Sequence, residues 1–272
     1  MNVMDLRPVV IGGGNLGGAV ARGLAKAGVK PLVVQTKGPN FDGLVKDGIE
    51  TYATIDEALP LSRGPIFIAL KPWLVLPYCS ENSALLAGRT IVSCAALVDI
   101  VLLRKSVPSA HWGRVMPNIA AAVRAGFTGI VNGNWNESEF ATVRELCALF
   151  GDEMVVSEQD LDGIVSLSGS AIAYVLDLLE GFIQGGLAVG IKDDVSLRAG
   201  LAVLEGTAKL VKQRGIHPAI LKDSVCTPGG TTIAGIRVLE DRAFKGAFID
   251  ALVATAEKAQ QGAAAYRAAQ KK

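Results

Sequence analysis

The chain has little of what metal centres and hydrolytic sites are built from. Two histidines, His111 and His217, stand among 272 residues, too few and too isolated for a His-rich metal site. The four cysteines, Cys79, Cys94, Cys147 and Cys226, have neither metal-ligand nor redox spacing. Three sit among apolar neighbours and read as buried, reduced thiols, while Cys226 lies beside a Gly-rich turn and is either packed or reactive. No Ser-His-Asp or paired-carboxylate constellation stands out. Charge is scarce as well: 19% of residues are charged and the formal net charge is +1, without the basic stripe of a nucleic-acid surface. No basic-then-apolar leader precedes the first strand. The longest uncharged stretch, 163–176, is about 14 residues, short of the roughly 20 that a membrane span needs. No repeat, low-complexity tract or flexible linker intervenes. A cytoplasmic protein with no membrane span and no nucleic-acid partner is expected.

What is present is apolar residues, half of the chain, a balance that implies extensive burial, including a subunit interface. Residues 7–12 form a short apolar run bounded by Pro and Gly, readable as a buried strand. It runs into Gly12-Gly13-Gly14-Asn15-Leu16-Gly17, a G-x-G-x-x-G match, and Ala19, Val20, Leu24 and Ala27 follow at helical spacing. Strand, turn and helix are the context a dinucleotide fingerprint requires. Gly12 is expected to make the tight turn, Gly14 to let a pyrophosphate approach the backbone, and Gly17 to let helix pack on strand. Asn15 and Leu16 complete the cradle. The next strand, 31–35, ends in Gln35-Thr36-Lys37, with no acid until Asp42. An NAD site places Asp or Glu there, whereas Thr36 and Lys37 suit a 2′-phosphate, so NADPH is expected, with NADH as the alternative.

Further strands are expected at 48–53, 64–70, 89–94 and 111–116, with helices between them, then a strand at 127–132, a helix at 137–150 and a last strand at 153–156. In open α/β sheets ligands lie beyond the carboxyl ends of the strands. Ala69, Lys71 and Pro72 at the end of the fourth strand should therefore border the cofactor, as should Ser93 at the end of the fifth. Asn118, in the turn after the sixth, should face substrate. From about Asp160 the character changes: 161–191 is apolar almost all round, 197–213 is a second helix and 242–269 a long Ala-rich one. Helices apolar on every side need enclosure. The expected fold is α/β, a Rossmann-type doubly wound, mostly parallel sheet over 1–158, followed by an all-α dimerisation and substrate domain over 159–272 that forms an interleaved homodimer.

One segment of the second half reads as a site. Pro228-Gly229-Gly230 must turn, and Thr231 and Thr232 then open a segment with Ile233, Ile236, Val238 and Leu239 at helical spacing. Hydroxyls and backbone N–H groups converge at a helix N-terminus, where a carboxylate is stabilised. His217 before Pro218 marks another helix start, with a capping or surface role.

Taken together these residues resemble the pyrroline-5-carboxylate reductase family. The resemblance rests on the Gly12 to Leu24 motif, Lys71-Pro72, Met116-Pro117-Asn118, Ser168-Gly169-Ser170 with Tyr174, and His217-Pro218 followed by Leu221-Lys222-Asp223 and Pro228-Gly229-Gly230-Thr231-Thr232. It covers essentially the whole chain in order and spacing. It implies NAD(P)H-dependent reduction of a cyclic imino acid to L-proline, the last step of proline biosynthesis, by dimers that often assemble into decamers. It also implies that the Gly230 and Thr231 amides hold the substrate carboxylate and that the Thr232 hydroxyl, the catalytic residue, reaches the ring nitrogen. Hydride addition to a protonated imine needs little acid–base machinery, which fits the missing catalytic constellations.

Three positions depart from the family pattern. Leu97 stands for the usual Gly, Ile119-Ala120 for Thr-Pro, and Ala171-Ile172 for Gly-Pro. They leave open a reductase of another cyclic imino acid or of a small keto or hydroxy acid, and a nucleotide-sensing paralogue without turnover. Hydroxyacid dehydrogenases of similar plan place a catalytic Lys on a core helix, and 163–191 has none.

Overall fold

Among the described residues, eight short strands form one sheet in the order β3-β2-β1-β4-β5-β6-β7-β8. They are β1 Val9–Ile11, β2 Leu32–Val34, β3 Glu50–Tyr52, β4 Ile66–Ile68, β5 Thr90–Ser93, β6 His111–Met116, β7 Gly126–Asn132 and β8 Gly151–Val155. The structure is a computed structural model describing residues 2–270; Met1, Lys271 and Lys272, the outer ends of the two expected domains, lie outside the described residues. Neighbouring strands run parallel except β6 and β7, which are antiparallel. The mostly parallel, doubly wound sheet expected from the alternating pattern is the one observed.

The apolar strands are buried on both faces, and their period of two sorts the side chains. Val10, Val33, Phe67 and Val92 point to one face, where they pack with Val20, Leu24, Leu146 and Phe150. Val9, Ile11, Leu32, Val34, Ile66 and Ile68 point to the other, against Val75, Leu86, Leu103 and Trp112. The buried indoles are satisfied: Trp112 Nε1 donates to the Val107 carbonyl, and Trp135 Nε1 to the carbonyls of Ile91 and His111. His111 has a structural role, its Nδ1 lying 2.6 Å from Glu139 Oε1. Glu139 also takes the Thr90 hydroxyl at 2.7 Å and completes a capping box with Asn136 at the start of helix Glu137–Ala148.

The chain packs as two units. One comprises the described residues up to Gly169 together with those from Thr255 onward, and the other Ser170–Ala254. This division differs from 1–158 and 159–272, because the end of the last helix, Phe244–Ala269, packs with the sheet unit. A sequence boundary drawn where strands stop cannot register such a return.

In the second unit, helix Ala171–Ala188 packs on helix Asp193–Arg214. A Cβ on Gly186 would lie 1.9 Å from Ser196 Oγ, so the two backbones approach closely only because the residue is glycine. Tyr174 meets Phe248 edge-on at 6.0 Å between centroids. Large apolar side chains remain exposed on these helices, among them Leu176, Leu187, Leu201 and Val203. The expected continuous helix 161–191 is not uniform. It opens as Leu161–Ile164, passes through a π-helical stretch Val165–Ser170, and resumes as Ala171–Ala188. Ser166, Ser168, Gly169 and Ser170 are weak helix formers, and the Ser168 hydroxyl bonds back to the Ile164 carbonyl at 3.1 Å. Counting only uncharged residues understated this segment: Leu161–Ala188 is long and apolar enough to cross a membrane by length and composition, although Asp162, Asp177 and Glu180 lie within it.

Candidate functional site

The switch in strand order falls between β1 and β4, and the cleft opens at their carboxyl ends. Gly12 follows β1 with φ +95°, a region that side-chain-bearing residues avoid, and donates its N–H to the Val34 carbonyl at 2.9 Å. A Cβ on Gly17 would lie 1.9 Å from the Gly12 carbonyl oxygen, so the helix Asn15–Lys26 can settle against the turn only with glycine there. Gly14 caps this helix without a side-chain hydrogen bond, and a Cβ on it would meet nothing within 4 Å. The helix therefore presents an N-terminus that no side chain caps, at a point where a phosphate can approach the backbone.

At the end of β2, Gln35 Oε1 accepts the Gly13 N–H at 2.7 Å, and Gln35 Nε2 lies 3.3 Å from both the Thr36 carbonyl and its hydroxyl. An uncharged amide thus occupies the place of the acid that would select a free ribose hydroxyl. Thr36 lines the cleft; Lys37 is exposed and does not. Asn40, in the first turn of helix Pro39–Lys46, lines it too and went unrecognised in the sequence. Its place beside the Gly38-Pro39 helix start was the available signal.

The cleft has a volume of ≈ 860 Å³. It takes in Gly12, Gly14, Asn15 and Leu16 from the first turn, Ala69, Leu70, Lys71 and Pro72 beyond β4, and Cys94, Ala95 and Ala96 beyond β5. Tyr78 and Ile119 also line it, residues that were not expected as contacts. Burial raises the Tyr78 hydroxyl pKa and pushes the Cys94 thiol up to about 12, so both are neutral at physiological pH. Gly17 acts from behind the cradle. Ser93, expected at the cofactor, is fully buried in the sheet, its hydroxyl 3.4 Å from the Ala95 N–H, and the next three residues form the wall instead.

Asn118 does not line the cleft. Its Oδ1 accepts the Ala120 N–H at 3.1 Å and its Nδ2 donates to the Ser168 carbonyl at 3.3 Å, so it caps the 3-10 turn Ile119–Val123. Leu97, two residues beyond Ala95, adopts φ +70°, a conformation costing roughly 1–2 kcal/mol for a residue with a side chain.

In the second unit, the turn Thr227 to Gly230 closes with the Gly230 N–H on the Thr227 carbonyl at 3.0 Å, and Gly229 has φ +69°. A Cβ on Gly230 would lie 2.3 Å from Thr227 Oγ1, so this threonine packs the turn against a glycine. Helix Thr231–Asp241 begins at once, without a side-chain cap, and Thr231 and Thr232 are exposed at its first turn. Cys226 is partly buried just before the turn. His217 caps helix Pro218–Val225, its Nδ1 accepting the Ala219 N–H at 3.2 Å.

Comparison with known proteins finds family matches in both halves of the chain. Residues 158–262 match the family model described as pyrroline-5-carboxylate reductase dimerisation, and 8–97 that described as NADP oxidoreductase, coenzyme F420-dependent. The first of these covers the apolar helix Leu161–Ala188. The pyrroline-5-carboxylate reductase of Escherichia coli (strain K12) is 33% identical over 266 residues, 95% of this chain and 98% of that protein. That of Glycine max is 32% identical over 257 residues, 92% of this chain and 94% of that protein. In fold, the chain is similar to the crystal structure of a Plasmodium falciparum pyrroline carboxylate reductase with NADP bound, with a TM-score of 0.87 and 24% identity over 96% of this chain and 99% of that one. With relatives this similar over nearly its full length, the chain belongs to the pyrroline-5-carboxylate reductase family.

Proposed function

We propose that this chain reduces 1-pyrroline-5-carboxylate to L-proline with NADPH, the closing step of proline biosynthesis. The observation that carries the reading is the uncapped helix N-terminus behind Gly14, set at the switch point of the sheet in a chain that follows the family from end to end. The residues present fit a dinucleotide: Gly14 leaves its approach open, Gly17 lets the helix lie close, and no carboxylate stands at the end of β2 to repel a 2′-phosphate. Gly12, Gly14, Asn15 and Leu16 would hold the pyrophosphate, Thr36 the 2′-phosphate, and Ala69, Lys71 and Pro72 the nicotinamide half. When bound, the cofactor supplies a hydride. Ser93 supports the wall from within the sheet.

The substrate's side of the reaction needs an anion site and a polar contact at nitrogen. The Gly230 and Thr231 amides bind the carboxylate at the uncapped start of helix Thr231–Asp241, and the Thr232 hydroxyl orients the ring nitrogen. As hydride adds to the imine carbon, the C=N π pair becomes the lone pair of the product amine. The substrate enters already protonated at nitrogen, so the chain's residues bind and orient rather than transfer protons. Asn118 acts through the turn it caps.

The chain is a homo-oligomer. The exposed apolar helices of the second unit are read as a homodimer interface, with decamers as the higher assembly and the cytoplasm as the compartment; sedimentation of the purified protein measures the assembly.

Ile119 in the cleft wall favours a second reading, a cyclic imino acid of different ring size or double-bond position. NADPH oxidation by the purified protein with pyrroline-5-carboxylate, pyrroline-2-carboxylate and piperideine carboxylates separates the two. Fastest turnover of pyrroline-5-carboxylate is expected. Preference for another ring establishes the second reading, and NADPH binding without any oxidation leaves a nucleotide sensor.

A further inference from the structure

We propose that residues 262–267, near the end of the C-terminal helix, are a positioning strut that holds two loops of the cofactor cleft in binding form. The proposal rests on the reading of that cleft as the NADPH site. Three contacts within the sheet unit carry it. The Tyr266 hydroxyl donates to the Pro72 carbonyl at 3.1 Å, and Pro72 lines the cleft beyond β4. Arg267 Nε donates to Asp99 Oδ2 at 2.7 Å, while Oδ1 of the same carboxylate accepts the Leu102 N–H at 2.8 Å and caps helix Ile100–Ser106. Between these lies Leu97, whose side chain sits over Gly262 so closely that a Cβ there would come within 3.1 Å of Leu97 Cδ2 and 3.2 Å of Cδ1.

The loop beyond β5 needs such support. Leu97 has φ +70°, a conformation its own side chain disfavours, and such conformations persist only where the surroundings over-determine them. From the sheet side the loop is pinned by Arg114, whose Nη2 donates to the Ala95 carbonyl at 3.1 Å and whose Nη1 pairs with Glu158 at 2.6 Å. From the outer side it is held by Gly262 and Arg267. Ala95 and Ala96 form cleft wall, whereas Gly262, Tyr266 and Arg267 do not line the cleft. Their influence on a ligand there is exerted through the loops. A cavity of ≈ 290 Å³ bounded by Leu97, Asp99, Arg114, Glu158 and Arg267 adjoins the contact, so the loop has room to relax once a contact is cut.

The test is a fluorescence titration of NADPH into the full-length protein, paired with steady-state kinetics and thermal melts. For Tyr266→Phe and Arg267→Ala, Kd and KM for NADPH are expected to rise by about fivefold or more while kcat at saturating cofactor stays within about twofold. Leu97→Ala, which cuts the third contact, should raise Kd in the same way, and combining it with Arg267→Ala should cost less than the two single effects together, a coupling that general destabilisation does not produce. Unchanged Kd in both Tyr266→Phe and Arg267→Ala overturns the strut, as does a parallel fall of kcat and melting temperature with no selective change in Kd. A wild-type protein that does not bind NADPH overturns the cofactor reading itself, and the strut with it.

Discussion

Gln35 Oε1 accepts the backbone N–H of Gly13 at 2.7 Å, tying the end of β2 to the glycine turn after β1. The side chain at the end of β2, where the proposed site would place the ribose, is thus anchored and uncharged. Gln35→Glu keeps the acceptor and adds a negative charge that attracts a ribose 2′-hydroxyl and repels a 2′-phosphate. The ratio of kcat/KM for NADPH over NADH should fall by about tenfold or more, equivalent to roughly 1.4 kcal/mol of discrimination. An unchanged ratio would remove Gln35 from cofactor selection.

Gly14 and Gly17 separate binding from folding. A Cβ on Gly17 collides with the Gly12 carbonyl, whereas one on Gly14 meets open space. Gly17→Ala should destabilise the protein by about 1–3 kcal/mol, as overpacking does. Gly14→Ala should leave the melting temperature nearly unchanged and weaken NADPH binding by about tenfold or more, because the added methyl occupies the space the pyrophosphate needs. Differential scanning calorimetry and cofactor titration on the two variants decide it; equal melting temperatures would contradict the packing argument.

Thr232 stands exposed in the first turn of an uncapped helix. Thr232→Ala should lower turnover by about tenfold or more, the scale of a lost transition-state contact, with NADPH affinity unaltered. Wild-type turnover in this variant would end the proposed role at the ring nitrogen.

Glu139 predicts an acid-sensitive contribution to stability. Burial raises its pKa, but the Thr90 hydroxyl, the Asn136 N–H and His111 together outweigh that and hold the carboxyl below its ordinary value. A group depressed in the folded state stabilises above its unfolded pKa, near 4.3 for Glu, and loses that contribution as pH falls through the folded value. Glu139→Gln should therefore cost about 1–3 kcal/mol at pH 7, with the deficit shrinking below about pH 4.3. Urea unfolding at pH 7, 5 and 3.5 measures it, and a deficit independent of pH would assign the loss to packing.

The legible parts of this protein are those encoded locally. The strand, glycine turn and helix from Val9 to Lys26 follow from an apolar run, a position that only glycine tolerates and a helical repeat, all within one short stretch. The turn before Thr231 follows from Pro228, Gly229 and Gly230 in the same way. The expected roles of Ser93 and Asn118 were read from their places at strand ends, which locate a residue near the cleft without saying where its side chain points. Ser93 faces into the sheet, and Asn118 is committed to Ala120 and Ser168.

The sequence by itself determined the doubly wound sheet, the glycine turn after β1 and the family, because backbone freedom, periodicity and motif order are properties of neighbouring residues. Only the tertiary structure decided that Gln35 reaches Gly13, that residues 255–270 return to the sheet unit, and that Leu97 rests on Gly262. These depend on which distant segments share a surface, and a side chain's orientation there is set by packing against atoms that no local pattern encodes.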